Sequence, residues 1–222
     1  QYDICLVAKM SAISEELMQS MIVANMAAIA KIKLLGGKIV VLYSDNLLAV
    51  QSEHGEFYRF LFRLADYVIY PTNYLQKFGN RFLSKSTITY TISDPWQIRK
   101  QYIPRQKIDQ EPWKIIWFGS NRNFIYLSRL IPKMFSSKLS TLNVQLTILT
   151  NEWALNKLQR SDYSKQVPQN WRLRLVKWSN NHQPYQLEKE LSSSHICILP
   201  SDVNDLRKAG ASHNRLIDSI RA

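Results

Sequence analysis

What most constrains this chain is a series of short apolar runs, rich in β-branched and aromatic residues, each separated from the next by a stretch of helical pattern. The runs fall at residues 3–8, 38–44, 67–70 and 87–91, and again at 114–118, 144–149, 172–177 and 196–199. Strands of that kind are buried on both faces, which predicts parallel sheets covered by helices. After the first run the sequence predicts a long helix, capped by Ser14, with Glu15 and Glu16 at the positive end of its dipole and a stop at Gly36-Gly37. A second helix is expected over 56–64, where Phe57, Phe60, Leu61 and Leu64 share one face. Further helices are expected near 126–135, 151–159 and 185–192, and from 212 onward. Between the two series, residues 93–112 are polar and basic and hold Pro95, Pro104 and Pro112. They read as an interdomain connection, which sets expected domains at 1–105 and 106–222.

The chain has 222 residues, enough for one large domain or two small ones; with 45% hydrophobic and 21% charged content and only 6 Gly and 8 Pro, it is a folding sequence with little linker. Cys5 and Cys197 lie inside apolar runs and read as small buried hydrophobes. Two cysteines make no disulfide framework, and no Cys/His group has zinc-ligand spacing. No Asn-x-Ser/Thr acceptor occurs, so a reducing cytoplasm is the simplest expected compartment. Residues 21–35 are the most apolar helical stretch; Asn25, Lys31 and Lys33 interrupt them, and they fall short of the ~20 residues of a span, so no transmembrane helix is expected. A start at Gln1 and a stop at Ala222 inside a helical pattern suggest a protein truncated at both ends. Lys and Arg number 29 against 17 Asp and Glu, a net charge of +12 that attracts polyanions. No zinc finger or RNP signature accompanies it, so no specific nucleic-acid partner is expected.

Several residues carry candidate chemistry. The run His195-Ile196-Cys197-Ile198-Leu199-Pro200 is followed by Lys208, then by a helix opening at Ser212-His213-Asn214-Arg215. A strand, a cationic loop and a helix N-terminus can hold a diphosphate, with Lys208, Asn214 and Arg215 at the phosphates and Asp218 in reach of a ribose diol. Arg215 and Asp218 are expected as exposed residues of the helix start. Phe118-Gly119-Ser120-Asn121-Arg122-Asn123 joins a strand to a helix, making Gly119, Ser120 and Arg122 further phosphate candidates; no Walker or G-x-G-x-x-G pattern is present. Trp178 heads a polar loop, where it would stack a nucleobase or simply pack.

The segment 212–222 resembles the C-terminal nucleotide-binding motif of GT-B glycosyltransferases, the large family-4-like group. Asp218 stands at the second Glu of that family's E-x7-E pattern; the first would fall at Gly210 and is absent. Leu64-Ala65-Asp66-Tyr67-Val68-Ile69-Tyr70-Pro71-Thr72-Asn73-Tyr74-Leu75 and Trp113-Lys114-Ile115-Ile116-Trp117-Phe118-Gly119-Ser120 are similar to two further family patterns, and the resemblance runs from about Lys38 on. It implies an α/β fold of two Rossmann-like domains facing across a cleft. The implied activity is sugar transfer from a nucleotide-sugar donor to a polysaccharide, glycolipid or other hydroxyl acceptor, hexosyltransferase-like, without metal or cofactor. Asp45 and His54 would then orient the acceptor or take its proton. Glycan or lipid-linked acceptors further imply a cytoplasmic enzyme with peripheral contact to an anionic membrane. The competing expectation is a noncatalytic α/β module that binds anionic polymer or a membrane surface through its charge.

Overall fold

In the computed structural model the chain forms two compact units, Gln1–Pro95 with Val203–Ser212, and Trp96–Asp202 with His213–Ala222. The structure describes residues 4–10, 15–93, 102–103, 105–161, 163–178, 185–202, 204–210 and 214–221, without the side chains of Glu15, Arg122, Ser164 and Asn214. The cap expected at Ser14, residues 94–101 and 104 of the connection at 93–112, and the loop 179–182 lie outside these residues. Where the sequence suggested one cut at 105/106, the compact units divide at 95/96, and residues 203–212 return to the first.

The first unit contains β1 (Ile4–Val7), α1 (Glu15–Leu34), β2 (Lys38–Leu42), α2 (Glu53–Leu64), β3 (Tyr67–Tyr70), α3 (Asn73–Gly79) and β4 (Ile88–Thr91). Its strands are all parallel and lie in the order β1-β2-β3-β4. Successive right-handed crossovers in one direction put every connecting helix on the same face. The core shows this: Val7, Ile39, Val41, Val68 and Tyr70 from the strands meet Ile22 and Ile29 of α1, Phe57, Leu61 and Phe62 of α2, and Leu75 of α3. Strand register places Leu6, Val40, Tyr67 and Ile88 in one row of the opposite face and Leu42, Ile69 and Tyr90 in the next. None of these seven belongs to that core, and Leu6, Ile88 and Tyr90 are exposed.

Local signals explain the helix limits. Helix α1 ends where Gly36 adopts φ +82, with the Gly36 and Gly37 amides donating to the Lys33 and Ile32 carbonyls. Helix α2 starts three residues before the expected 56, because Ser52 accepts from the Gly55 amide and Glu53 and Glu56 occupy the first turn. One expectation needs correction: Glu16–Leu34 is long and apolar enough, at mean hydropathy 1.3, to cross a bilayer by length and composition. In the structure Ile22 and Ile29 are buried in the core of the first unit, while Leu17, Val23 and Leu34 of the same helix are exposed.

The second unit contains β5 (Trp113–Phe118), α4 (Asn121–Phe135), β6 (Val144–Thr150), α5 (Glu152–Arg160), α6 (Tyr163–Gln166), β7 (Trp171–Lys177), α7 (Gln186–Ser192), β8 (Ile196–Cys197) and α8 (Asn214–Arg221). Its parallel strands lie in the order β7-β6-β5-β8. The chain thus runs outward from β5 to β7 and then returns to β5's other side. Reversal puts helices on both faces. Trp117, Leu146 and Ile148 pack with Phe124 and Leu127 of α4 and Leu158 of α5. On the other face Ile116, Phe118 and Leu149 pack with Leu187 and Leu191 of α7. Helix α4 begins at residue 121, five residues before expectation, with Ser120 as its N-cap residue.

Candidate anion site at the carboxyl end of the second sheet

Where strand order reverses in an open parallel sheet, the two neighbouring crossovers diverge and leave a crevice outside the carboxyl ends of the strands. In the second unit that point lies between β5 and β8. Strand β8 pairs with β5 only at Ile196 and Cys197, so Trp117 and Phe118 extend past it. Arg215 of α8 fills this position. Its guanidinium carbon lies 5.8 Å from the Trp117 ring centroid and 5.3 Å from that of Phe118. Adjacent strand residues point to opposite faces, so a cation near both rings sits over the end of the strand. Ser219, one turn on, donates to the Arg215 carbonyl at 2.7 Å and lies 3.1 Å from Cys197 Sγ, fastening α8 to β8.

The electrostatic state of Arg215 is unusual. Nε and Nη2 are buried and have no hydrogen-bond partner. Burial pushes its pKa below the ordinary value, yet a guanidinium stays charged. A buried cation whose donors are unsatisfied is costly, and an anion is the group that relieves it. The rings of Trp117 and Phe118 offset part of that cost through their negative faces.

The sequence-derived candidates divide around this point. Ser120 is exposed at the start of α4, its side chain making no capping bond, so the hydroxyl is available to a ligand at that helix N-terminus. Arg122 lies in the first turn of α4 and Asn214 in that of α8, both with side chains outside the description. Gly119 has a different role from the one expected. Its amide donates to the Leu149 carbonyl at 3.1 Å and its carbonyl accepts from Thr150 Oγ1 at 2.6 Å. A Cβ there would come 2.9 Å from a ring carbon of Trp117, so glycine admits the indole and offers no amide to phosphate. Trp178 packs: its ring centroid is 6.2 Å from that of Phe118, its amide donates to the Thr150 carbonyl at 2.6 Å, and it lies against the Phe118 core.

Two corrections concern α8. Arg215 and Asp218 were expected as exposed residues of a helix start; both point inward, and Asp218 is 1% exposed. The physical reason is amphipathicity. Residues 215, 218 and 219 share the face that meets β5 and β8, while Leu216 and Ile220 face solvent.

Lys208 belongs to the other unit. The segment 204–210 crosses the carboxyl end of the first sheet. There the Asn46 amide donates to the Arg207 carbonyl at 3.0 Å and Thr72 Oγ1 donates to the Gly210 carbonyl at 2.6 Å. Lys208 thereby comes into electrostatic reach of Asp45 and Lys9. Asp45 itself follows β2 and is ion-paired with Lys9. His54 lies in the first turn of α2, half-buried, its ring centroid 6.0 Å from that of Tyr58. Lys9 was missed by sequence reasoning; its position just past the carboxyl end of a strand was the available signal. Among the described residues no group of three or more His, Cys, Asp or Glu converges to hold a metal ion.

No family model matches the chain, and neither does a curated protein. Solved structures to which it is similar include the apo form of the lipopolysaccharide outer core galactosyltransferase WaaB, at 14% identity over 85% of this chain and 47% of that one, with a TM-score of 0.48. TarM is 12% identical over 72% of this chain and 31% of its own, with a TM-score of 0.46. MurG of Acinetobacter baumannii is 15% identical over 76% and 42%, with a TM-score of 0.39. The chain spans less than half the length of each.

Proposed function

We propose that this chain is part of a metal-independent glycosyltransferase whose second unit binds the diphosphate of a nucleotide-sugar donor. One observation carries the reading: Nε and Nη2 of the half-buried Arg215, both without a hydrogen-bond partner among the described residues, at the switch point of a parallel sheet whose strand β5 leads into α4. The resemblance of the sequence to GT-B enzymes supports it. In this reading Arg215 Nε and Nη2 donate to phosphate oxygens, Ser120 and the α4 dipole add to the binding, and the positive charge stabilises the diphosphate as it leaves. The acceptor hydroxyl attacks the anomeric carbon, the bond from that carbon to the diphosphate oxygen breaks, and Asp45 takes the hydroxyl proton or orients it. The acceptor is a glycan or lipid-linked alcohol handled by the first unit, in a cytoplasmic setting next to an anionic membrane. Calorimetry against UDP-, GDP- and TDP-sugars tests this. Binding of one nucleotide class, lost in Arg215→Ala, is expected; equal heats with the parent and the variant would overturn it.

A second reading has its own observation. The outer face of α5 carries an open groove of about 490 Å³ lined by Trp153, Asn156, Lys157, Arg160 and Ser161, with Lys157 Nζ 5.2 Å from the Trp153 ring centroid. With a net charge of +12, such a surface suits a noncatalytic module for anionic polymer. That module would bind polyanions with strong salt dependence and no preference among nucleotides.

A further inference from the structure

We infer that Lys9, Asp45 and Lys208 form a second anion site, at the carboxyl end of the first sheet, which takes a phosphate or carboxylate carried by the acceptor. The three residues come from distant parts of the sequence: the end of β1, the end of β2, and the segment between β8 and α8. The last of these is fixed in place. Its backbone is tied to Asn46 and Thr72, Asp205 caps its short turn by accepting from the Arg207 amide at 3.1 Å, and Gly210 at φ +73 lies against the Tyr74 ring so closely that a Cβ would collide with it. Lys208 is therefore carried on a rigid strap over the strand ends, the position where open parallel sheets place ligands.

The charge balance there is incomplete. Asp45 is ion-paired with Lys9, its side chain only 17% exposed. Arg207 is matched by Asp205 through two hydrogen bonds of 2.9 and 2.8 Å. Lys208 interacts electrostatically with Asp45 and Asp205 and with Lys9 and Arg207, so the three cations Lys9, Arg207 and Lys208 face two carboxylates and one positive charge is left over. Burial pushes the Lys208 ammonium below its ordinary pKa, and Asp45 opposes that shift. A partly desolvated surplus cation gains from an anion, because the anion returns the electrostatic compensation that water no longer supplies. The lysines are point charges with rotatable donors, so they suit a phosphate or carboxylate held at one end rather than a geometry-specific fork.

The inference rests on the proposed glycosyltransferase reading for the word acceptor, and the test separates the two. Lysines of the chain are reductively ¹³C-methylated and followed by NMR, Lys9 and Lys208 being assigned from Lys9→Arg and Lys208→Arg. Inorganic phosphate, acetate and UDP are the probes. Phosphate or acetate is expected to shift the Lys9 and Lys208 signals saturably, both in the parent and in Arg215→Ala, while Lys133 on α4 moves far less. Asp45→Asn, which removes the competing carboxylate, is expected to tighten binding by roughly ten- to a hundredfold. Failure of the Lys208 signal to move beyond that of Lys133 would overturn the site. A Lys208 response to UDP that exceeds the response to phosphate and vanishes in Arg215→Ala would reassign the cation to the donor and overturn the acceptor role. UDP binding that is lost in Arg215→Ala while Lys208 stays silent would sink this inference and leave the donor site standing.

Discussion

Replacing Arg215 by methionine should raise stability and lower donor affinity together. Two buried donors, Nε and Nη2, lack partners, and each such group costs about 1–3 kcal/mol. Against this stand two ring contacts, at 5.8 and 5.3 Å, worth about 0.5–2 kcal/mol each. Methionine fills the same space, and its sulfur recovers about 0.3–1.5 kcal/mol of aromatic contact. Taking mid-range values, removing the orphan donors gains about 4 kcal/mol, the lost ring contacts cost about 2.5 and sulfur returns about 1, a net stabilisation of about 2.5 kcal/mol. For a chain of this length that raises the thermal midpoint by about 5–10 °C. Donor affinity moves the other way, because one charged contact to phosphate is worth about 1.5–3 kcal/mol, roughly ten- to a hundredfold. Scanning calorimetry without ligand and titration calorimetry with the bound nucleotide-sugar measure the two arms. Arg215→Lys keeps the charge but loses the fork and should bind between parent and Met variant. A lower midpoint in Arg215→Met, with donor affinity unchanged, would refute both the burial argument and the phosphate role.

Other outcomes follow from particular contacts. Gly210→Ala must fit a Cβ against the Tyr74 ring at positive φ, whereas Gly36→Ala, also at positive φ, meets open space. The first should cost more than the second, which should cost only the left-handed backbone penalty of about 1–2 kcal/mol, and paired urea melts will rank them. His195 Nδ1 accepts from the Lys114 amide at 2.9 Å, and burial sets its pKa below the ordinary value. Its contribution to stability is therefore complete above the unfolded pKa of about 6.5 and is lost as pH falls from there through the folded pKa. His195→Gln should flatten the stability profile between pH 7 and 5, and an equally steep profile in the variant would exclude His195 as the cause. Glu111, held down to about 2 by hydrogen bonds from Lys114 first and Arg105 next, adds a second loss only at more acidic pH, as its carboxylate protonates below its ordinary value.

The sequence by itself determined the elements. Eight β-branched or aromatic runs with helical stretches between them became eight parallel strands among the described residues, as that alternation predicts. Helix limits were legible where a cap or a glycine stood, as at Gly36, and less so where the signal was a single serine, as at Ser52 and Ser120, which moved α2 and α4 forward. The GT-B resemblance pointed to the stretch around residue 215 from the sequence alone. Only the tertiary structure decided the rest. The strand order β7-β6-β5-β8 set the switch point beneath Arg215, the amphipathic seating of α8 turned Arg215 and Asp218 inward, and the return of residues 203–212 to the first unit took Lys208 to Asp45. Periodicity and capping act within a few turns of the chain and can be read locally. Strand order and loop return are selected by burial summed over residues more than a hundred positions apart, and no local pattern encodes which loops that selection brings together.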